Sequence, residues 1–110
     1  MMQTHLTAAQ LDALKTRQAV LLLFGAPHCG VCQAIKPKLE QLMTNNYPEM
    51  ALVYLDCAHS PDIAAQHGVF SLPVVQLFIE GRLSLERGRS FSLLELDAEM
   101  ARIERLWKSV

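Results

Sequence analysis

Several features that mark particular classes of protein are scarce in this sequence. Ten Lys and Arg stand against eleven Asp and Glu, so the net charge is −1. A chain with this balance has no electrostatic field for holding a phosphate backbone, and we expect no nucleic-acid partner. The longest apolar run, from Ala19 to Ala26, is far shorter than the about 20 residues that cross a bilayer, and we expect no membrane partner.

Cysteine is also scarce, and the first residues lack the pattern of a secretion signal. No basic stretch leads from Met1 into an apolar segment, which predicts a soluble protein of the cytoplasm. Three cysteines are an odd number and too few for a secreted disulfide scaffold. In a reducing compartment, a close pair of cysteines is therefore expected to be catalytic or metal-binding rather than a structural cross-link.

What the sequence does contain is enough apolar residues, 51% of 110, for the core of one domain over residues 1–110. Helical and strand patterns alternate along it. The predicted elements are a helix capped by Thr7 that ends near Arg17, a buried strand at 20–25, a helix after the cysteine pair with a kink at Pro37, a strand at 51–56, a short helix from Pro61, a hairpin of strands at 74–79 and 82–87, and a last helix that begins at Ser92.

This order of elements predicts the class of fold. Strands separated by helices pair in parallel through right-handed crossovers, whereas a hairpin adds antiparallel strands. We therefore expect an α/β protein with a central mixed sheet of four or five strands and with helices on both faces.

The chemistry of the chain is concentrated in Cys29-Gly30-Val31-Cys32, directly after a buried strand and at the start of a helix. The free N–H groups at a helix N-terminus favour a thiolate, which lowers the pKa of a cysteine placed there. Cys29 is expected to be the more exposed thiol and the nucleophile. Cys32, one turn later, can then resolve the mixed disulfide between Cys29 and a substrate.

The sequence resembles the thioredoxin family over nearly its whole length. The matching residues are the segment from Phe24 to Cys32, Pro37, Leu55-Asp56, and the segment from Val69 to Phe78 followed by Gly81. The resemblance implies a thioredoxin fold and a thiol–disulfide oxidoreductase that reduces disulfides of protein substrates. It also implies that Pro73 is a cis proline beside the dithiol and that the backbone of Leu72 pairs with an extended substrate segment.

The same resemblance suggests which residues and partners serve the reaction. We expect a disulfide reductase that is a flavoprotein, or glutathione, to return electrons to the dithiol, and no cofactor or metal to be held at the site. The residues expected to contact the substrate surround the cysteines or lie on the two neighbouring loops: His28, Gly30, Val31, Leu72, Pro73, Arg87, Gly88 and Arg89. The two arginines are expected to attract acidic segments beside a substrate disulfide.

The chain departs from the family pattern around the cysteines. His28 and Val31 stand where the family usually has tryptophan and proline, and Leu23 stands where thioredoxins carry a buried aspartate that assists proton transfer. Leu52 is taken as the replacement for the lysine of that relay. Proton removal from Cys32 is therefore expected to be slow, or to be done by water or another group.

Two other functions stay open at this stage. One is a peptide-binding adaptor or chaperone-like module that uses the groove at Leu72-Pro73 and has weak or no redox activity. The other is a metal carrier that uses Cys29, Cys32 and Cys57. For Cys57 itself, which follows a predicted strand, we expect the packing of a small apolar side chain.

Overall fold

A computed structural model describes residues 2–109 of the chain. Helices and strands alternate within these residues up to the closing hairpin and the last helix. Strand β1 spans Met2–Gln3, α1 Ala8–Arg17, β2 Val20–Gly25, α2 Gly30–Asn46, β3 Ala51–Asp56, α3 Pro61–Gln66, β4 Val74–Ile79, β5 Arg82–Gly88 and α4 Leu93–Lys108. Between residues 2 and 109, no helix combines the length and the apolar composition that crossing a membrane requires.

The five strands form one mixed sheet in the order β1-β3-β2-β4-β5. Strand β2 runs parallel to β3 and antiparallel to β4, and β5 completes the hairpin with β4. This arrangement confirms the predicted α/β class and the mixed sheet. The fifth strand is β1, whose two residues pair with Leu52 and Val53; it is too short to show the alternation by which a strand is recognised in a sequence.

Both faces of the sheet are covered by helices. On one face, side chains of β2 such as Leu21 and Leu23 pack with Leu39 of α2 and Met100 of α4. On the other face, Phe24 and its neighbours pack with residues of α1 and α3. Strand β2 is buried along its entire length, which explains its continuous apolar sequence.

The predicted boundaries of the helices are largely those of the structure. Thr7 forms both bonds of a capping box with Gln10, as the sequence predicts. Ser60 occupies the cap position of α3, although its side chain makes no capping hydrogen bond. Helix α2 continues through Pro37 as a single element. Gly81 adopts φ +81° in the hairpin turn, a conformation that glycine reaches without steric cost.

A cluster of hydrogen-bonded polar groups lies at the edge of the core between α1, α3 and β4. The Nζ of Lys15 lies 2.9 Å from Nε2 of His67, and Nδ1 of His67 lies 2.8 Å from the carbonyl oxygen of Ile63. Because a carbonyl can only accept, Nδ1 carries the proton and Nε2 accepts from the ammonium group. Burial lowers the pKa of His67, and the charge of Lys15 lowers it further. The imidazole is therefore neutral in the folded protein near neutral pH.

This neutral imidazole predicts a loss of stability in mild acid. Below about pH 6.5 the unfolded chain takes up a proton at His67 that the folded chain resists, so the free energy of unfolding falls as the pH falls. The slope from this one proton can approach but not exceed about 1.4 kcal/mol per pH unit. The free energy of unfolding can be measured by urea titration at several pH values for the native protein, His67→Gln and the exposed-site control His59→Gln. We expect the fall in mild acid to be smaller only in His67→Gln. Identical pH profiles for native and His67→Gln proteins would contradict the assignment.

Candidate active site

The cysteine pair lies where β2 delivers the chain to the start of α2. Cys29 is the N-cap residue of α2, and its backbone N–H donates to the carbonyl oxygen of Ala26 at 3.0 Å. Its Sγ accepts a hydrogen bond from the backbone N–H of Cys32 at 3.2 Å. The sulfur thus takes up one of the N–H groups that a helix start leaves without an intrahelical partner.

Cys29 and Cys32 are joined by a disulfide bond, with their Cα atoms 5.3 Å apart. Cys32 is completely buried, whereas Cys29 is partly exposed. Of the two cysteines, only Cys29 is therefore accessible from solvent.

The loop before β4 lies at the same edge of the sheet. Phe24 near the end of β2 pairs with Val74 at the start of β4, so the residues before Val74 lie next to the segment that leads to Cys29. The peptide bond between Leu72 and Pro73 is cis, and Pro73 is buried while Leu72 is partly exposed. Leu72, which packs partly against the core, therefore lies near the surface at the edge where the dithiol lies.

The end of β5 adjoins this loop. The backbone N–H of Arg89 donates to the carbonyl oxygen of Pro73 at 2.7 Å. A Cβ added to Gly88 would lie 3.4 Å from Cγ2 of Val74 and 3.9 Å from that same carbonyl oxygen. Gly88 and Arg89 thus lie beside the Leu72-Pro73 segment, and Arg89 is exposed.

Arg87 has a different environment from Arg89. Its guanidinium forms an ion pair with Glu99 of α4, with 2.6 Å between Nη2 and Oε2, although the alignment is not that of a hydrogen bond. Nη1 donates to the carbonyl oxygen of Glu86, also at 2.6 Å. The guanidinium of Arg87 is therefore paired with a carboxylate of the same molecule.

Several residues on the α2 side and in the loop before Pro73 are exposed. His28 and Gly30 are exposed on either side of Cys29, and 60% of Val31 is exposed. Phe70, in the loop that precedes Leu72, is 85% exposed. Phe70 was not among the residues expected to contact the substrate; the signal that could have found it is a large apolar residue in a loop between two predicted elements.

On the inner side of the dithiol, the register of the sheet corrects one expectation. Leu23 of β2 pairs with Tyr54 of β3, whereas Leu52 pairs with Leu21. The residue beside Leu23 is therefore Tyr54, and the assignment of Leu52 to that position is wrong by two residues. The hydroxyl of Tyr54 accepts a hydrogen bond from Nε2 of Gln33 at 3.3 Å.

The third cysteine has no bond to the pair. Cys57 is a partly exposed free thiol that packs against the core on the α1 and α3 side of the sheet. Burial, followed by the negative charge of Asp56, raises its pKa. Across residues 2–109, no group of three or more His, Cys, Asp or Glu side chains is placed to hold a metal ion.

Comparison with known proteins identifies the family. The thioredoxin family model matches residues 3–100. The chain is 30% identical to a thioredoxin of Griffithsia pacifica, over 69% of this chain and 70% of that one. It is 32% identical to a thioredoxin of Mycobacterium tuberculosis, over 77% of each chain. The structure of a mutant thioredoxin from Halobacterium salinarum has a similar fold, with a TM-score of 0.78, 24% identity and coverage of 88% of this chain and 85% of that one. The chain therefore belongs to the thioredoxin family and is a thiol–disulfide oxidoreductase.

Proposed function

We propose that Cys29 attacks disulfides of protein substrates and that Cys32 releases the reduced product. The observation that carries this proposal is the difference in burial between the two cysteines, with Cys29 partly exposed and Cys32 completely buried. The N–H of Cys32, which points at Sγ of Cys29, supports the same division because it stabilises negative charge on that sulfur.

The proposed reaction proceeds in two exchanges. The Cys29 thiolate attacks one substrate sulfur, the substrate disulfide breaks, and the other substrate sulfur leaves as a thiolate. Cys32 then loses its proton and attacks Sγ of Cys29, which displaces the second substrate sulfur. The substrate gains two electrons and the protein loses two, ending with the Cys29–Cys32 disulfide that the structure contains.

The substrate groove is proposed to lie between the start of α2 and the two neighbouring loops. In this proposal an extended substrate segment pairs with the backbone of Leu72 next to Pro73, in the manner of an added strand. His28, Gly30 and Val31 contact the substrate from the side of α2, and Gly88 and Arg89 contact it from the end of β5. Arg87 contributes less because Glu99 already neutralises it.

The partners and the compartment follow from this chemistry. A disulfide reductase or glutathione is proposed to return two electrons to the oxidised pair. The reducing reaction suits the cytoplasm, where thiol systems keep cysteines reduced. Residues 1–110 are proposed to act as one domain.

The proposed reaction is tested by insulin reduction with dithiothreitol as the electron source. The native protein is expected to accelerate precipitation of the insulin chains, Cys29→Ser to abolish the acceleration, and Cys57→Ser to leave it unchanged. A native protein that binds insulin-derived peptides but does not accelerate reduction would instead favour the peptide-binding adaptor.

The relative reactivity of the cysteines gives a first prediction. In the reduced protein, Cys29 is expected to react with iodoacetamide before Cys57, because Cys29 combines exposure with the helix start while burial and Asp56 disfavour the Cys57 thiolate. Peptide mapping by mass spectrometry after brief alkylation measures the order. Modification of Cys57 before Cys29 would show that the nucleophile is wrongly assigned.

The charge of Arg89 gives a second prediction. Arg89→Ser is expected to slow reaction with a disulfide peptide that has acidic flanks by about fivefold or less, since exposed charge pairs contribute about 1 kcal/mol at most. The loss should appear in the association rate and should fade at high ionic strength.

The controls for this prediction are a peptide with neutral flanks and the variants Arg82→Ser and Arg87→Ser. Arg82 begins β5 at its opposite end, and Arg87 is paired with Glu99, so both variants should retain most of the rate. Equal rates for native protein and Arg89→Ser on the acidic peptide at low salt would remove Arg89 from the proposed groove.

A further inference from the structure

Cys32 and Tyr54 approach each other across the position of Gly25. A Cβ atom added to Gly25 would lie 2.9 Å from Cβ of Cys32, 2.9 Å from Cε1 of Tyr54 and 3.1 Å from the Tyr54 hydroxyl oxygen. These separations are too short for real Cβ contacts. Any side chain at position 25 would therefore have to push the tyrosine and the resolving cysteine apart.

The ring and the hydroxyl of Tyr54 are held in place from α2. Nε2 of Gln33 donates to the hydroxyl oxygen at 3.3 Å and to the carbonyl oxygen of Ala26 at 3.0 Å. Nζ of Lys36 lies 3.9 Å from the centroid of the ring, within the range of a cation–π contact. Tyr54 is 7% exposed, so it is fixed next to Cys32 by contacts on several sides.

Tyr54 also borders a cavity that reaches the surface. The cavity has a volume of about 250 Å³, which is enough for several water molecules. Gln33, Lys36, Asp56 and the exposed His59 are among its lining residues. Tyr54 thus borders both the position of Gly25, where it approaches Cβ of Cys32, and a route to solvent.

Strand β2 contains no titratable side chain, and its residue next to Tyr54 in the register is the fully buried Leu23. Burial raises the pKa of Tyr54, and the charge of Asp56 adds to this. The phenol therefore stays protonated at neutral pH. It can still pass a proton on by accepting one at its oxygen while donating its own.

We propose that the hydroxyl of Tyr54 relays the proton that leaves Cys32 when Cys32 resolves the mixed disulfide. The Cys32 proton passes to the oxygen of Tyr54, and the tyrosine's own proton passes to water in the cavity. The electron pair left on Cys32 forms the bond to Sγ of Cys29, and the bond from Cys29 to the substrate breaks. The substrate sulfur leaves as a thiolate and takes a proton from solvent, so the phenol is unchanged at the end. Tyr54 is a proton-transfer residue in this scheme, which rests on the proposed roles of Cys29 and Cys32.

The test is a single-turnover reaction of the reduced protein with a disulfide peptide whose two products are followed separately. Tyr54→Phe is expected to leave the attack by Cys29 unchanged and to slow release of the second thiol. The expected slowing is about 10- to 100-fold at pH 7, because a positioned proton-transfer group typically contributes about 100-fold or more and cavity water replaces part of it. The slowing should become smaller as the pH rises toward about 8.5, the pKa of a free thiol, because hydroxide then removes the Cys32 proton directly.

Tyr47→Phe is the matched control. Tyr47 is also a buried tyrosine with a hydrogen-bonded hydroxyl, but its partner is Asp97 at the start of α4. Removing the hydroxyl of Tyr47 tests whether the loss of any buried hydroxyl slows release of the second thiol by destabilising the protein. We expect Tyr47→Phe to lower the free energy of unfolding without changing the pH profile of release.

The possible failures are distinguishable. Release by Tyr54→Phe within about twofold of the native rate from about pH 6 to pH 8, or an equal slowing in Tyr47→Phe, would overturn the relay and leave the roles of the cysteines intact. Release of the second thiol by Cys32→Ser at the native rate would instead overturn the proposed function. Slowing confined to Tyr54→Phe and largest at low pH supports the relay.

Discussion

Strand β2 is buried on both faces of the sheet, and this burial fixes the register of the strands and the position of the cysteine pair. All six of its residues are buried, with β3 hydrogen-bonded on one side and β4 on the other. Each fully buried Leu or Phe contributes about 1.5–3 kcal/mol, so a one-residue slip that exchanged the two faces would be costly. The strand therefore fixes the point at which the chain leaves the sheet after Gly25, and it places Cys29 at the start of α2 beside the loop that contains Pro73.

The same strand also determines what lies behind the cysteines. Because its register pairs Leu23 with Tyr54, an apolar side chain and a phenol occupy the inner side of the dithiol. Gly25, at the end of the strand, leaves room for Tyr54 and Cys32 to approach. On the outer side, Val31 is exposed two residues after the partly exposed Cys29, and Phe70 is exposed in the loop that leads to Pro73. Cys29, the proposed nucleophile, is thus partly exposed, and Cys32 is enclosed by the interior.

Much of this arrangement could be predicted from the sequence because it depends on local patterns. The capping box at Thr7, the continuous apolar strand and the Cys29–Cys32 spacing each lie within a few residues, and the structure contains all three. Features that depend on pairing between distant segments were missed or misplaced. The identity of the neighbour of Leu23 needs the register of β2 on β3, and the ion pair of Arg87 with Glu99 needs the packing of α4 against the hairpin. Strand β1 exists only through its pairing with β3.

Cys29 and Cys32 lie on one helical turn, and the roles proposed for them rest on the partial exposure of Cys29 and the burial of Cys32. The most direct test of these roles is the intact mass of Cys32→Ser after incubation with a disulfide peptide, followed by mapping of the attachment site. We predict a stable adduct of one peptide thiol on Cys29, because the group that would release it has been removed. An adduct on Cys57, or one that accumulates in Cys29→Ser but not in Cys32→Ser, would contradict the assignment.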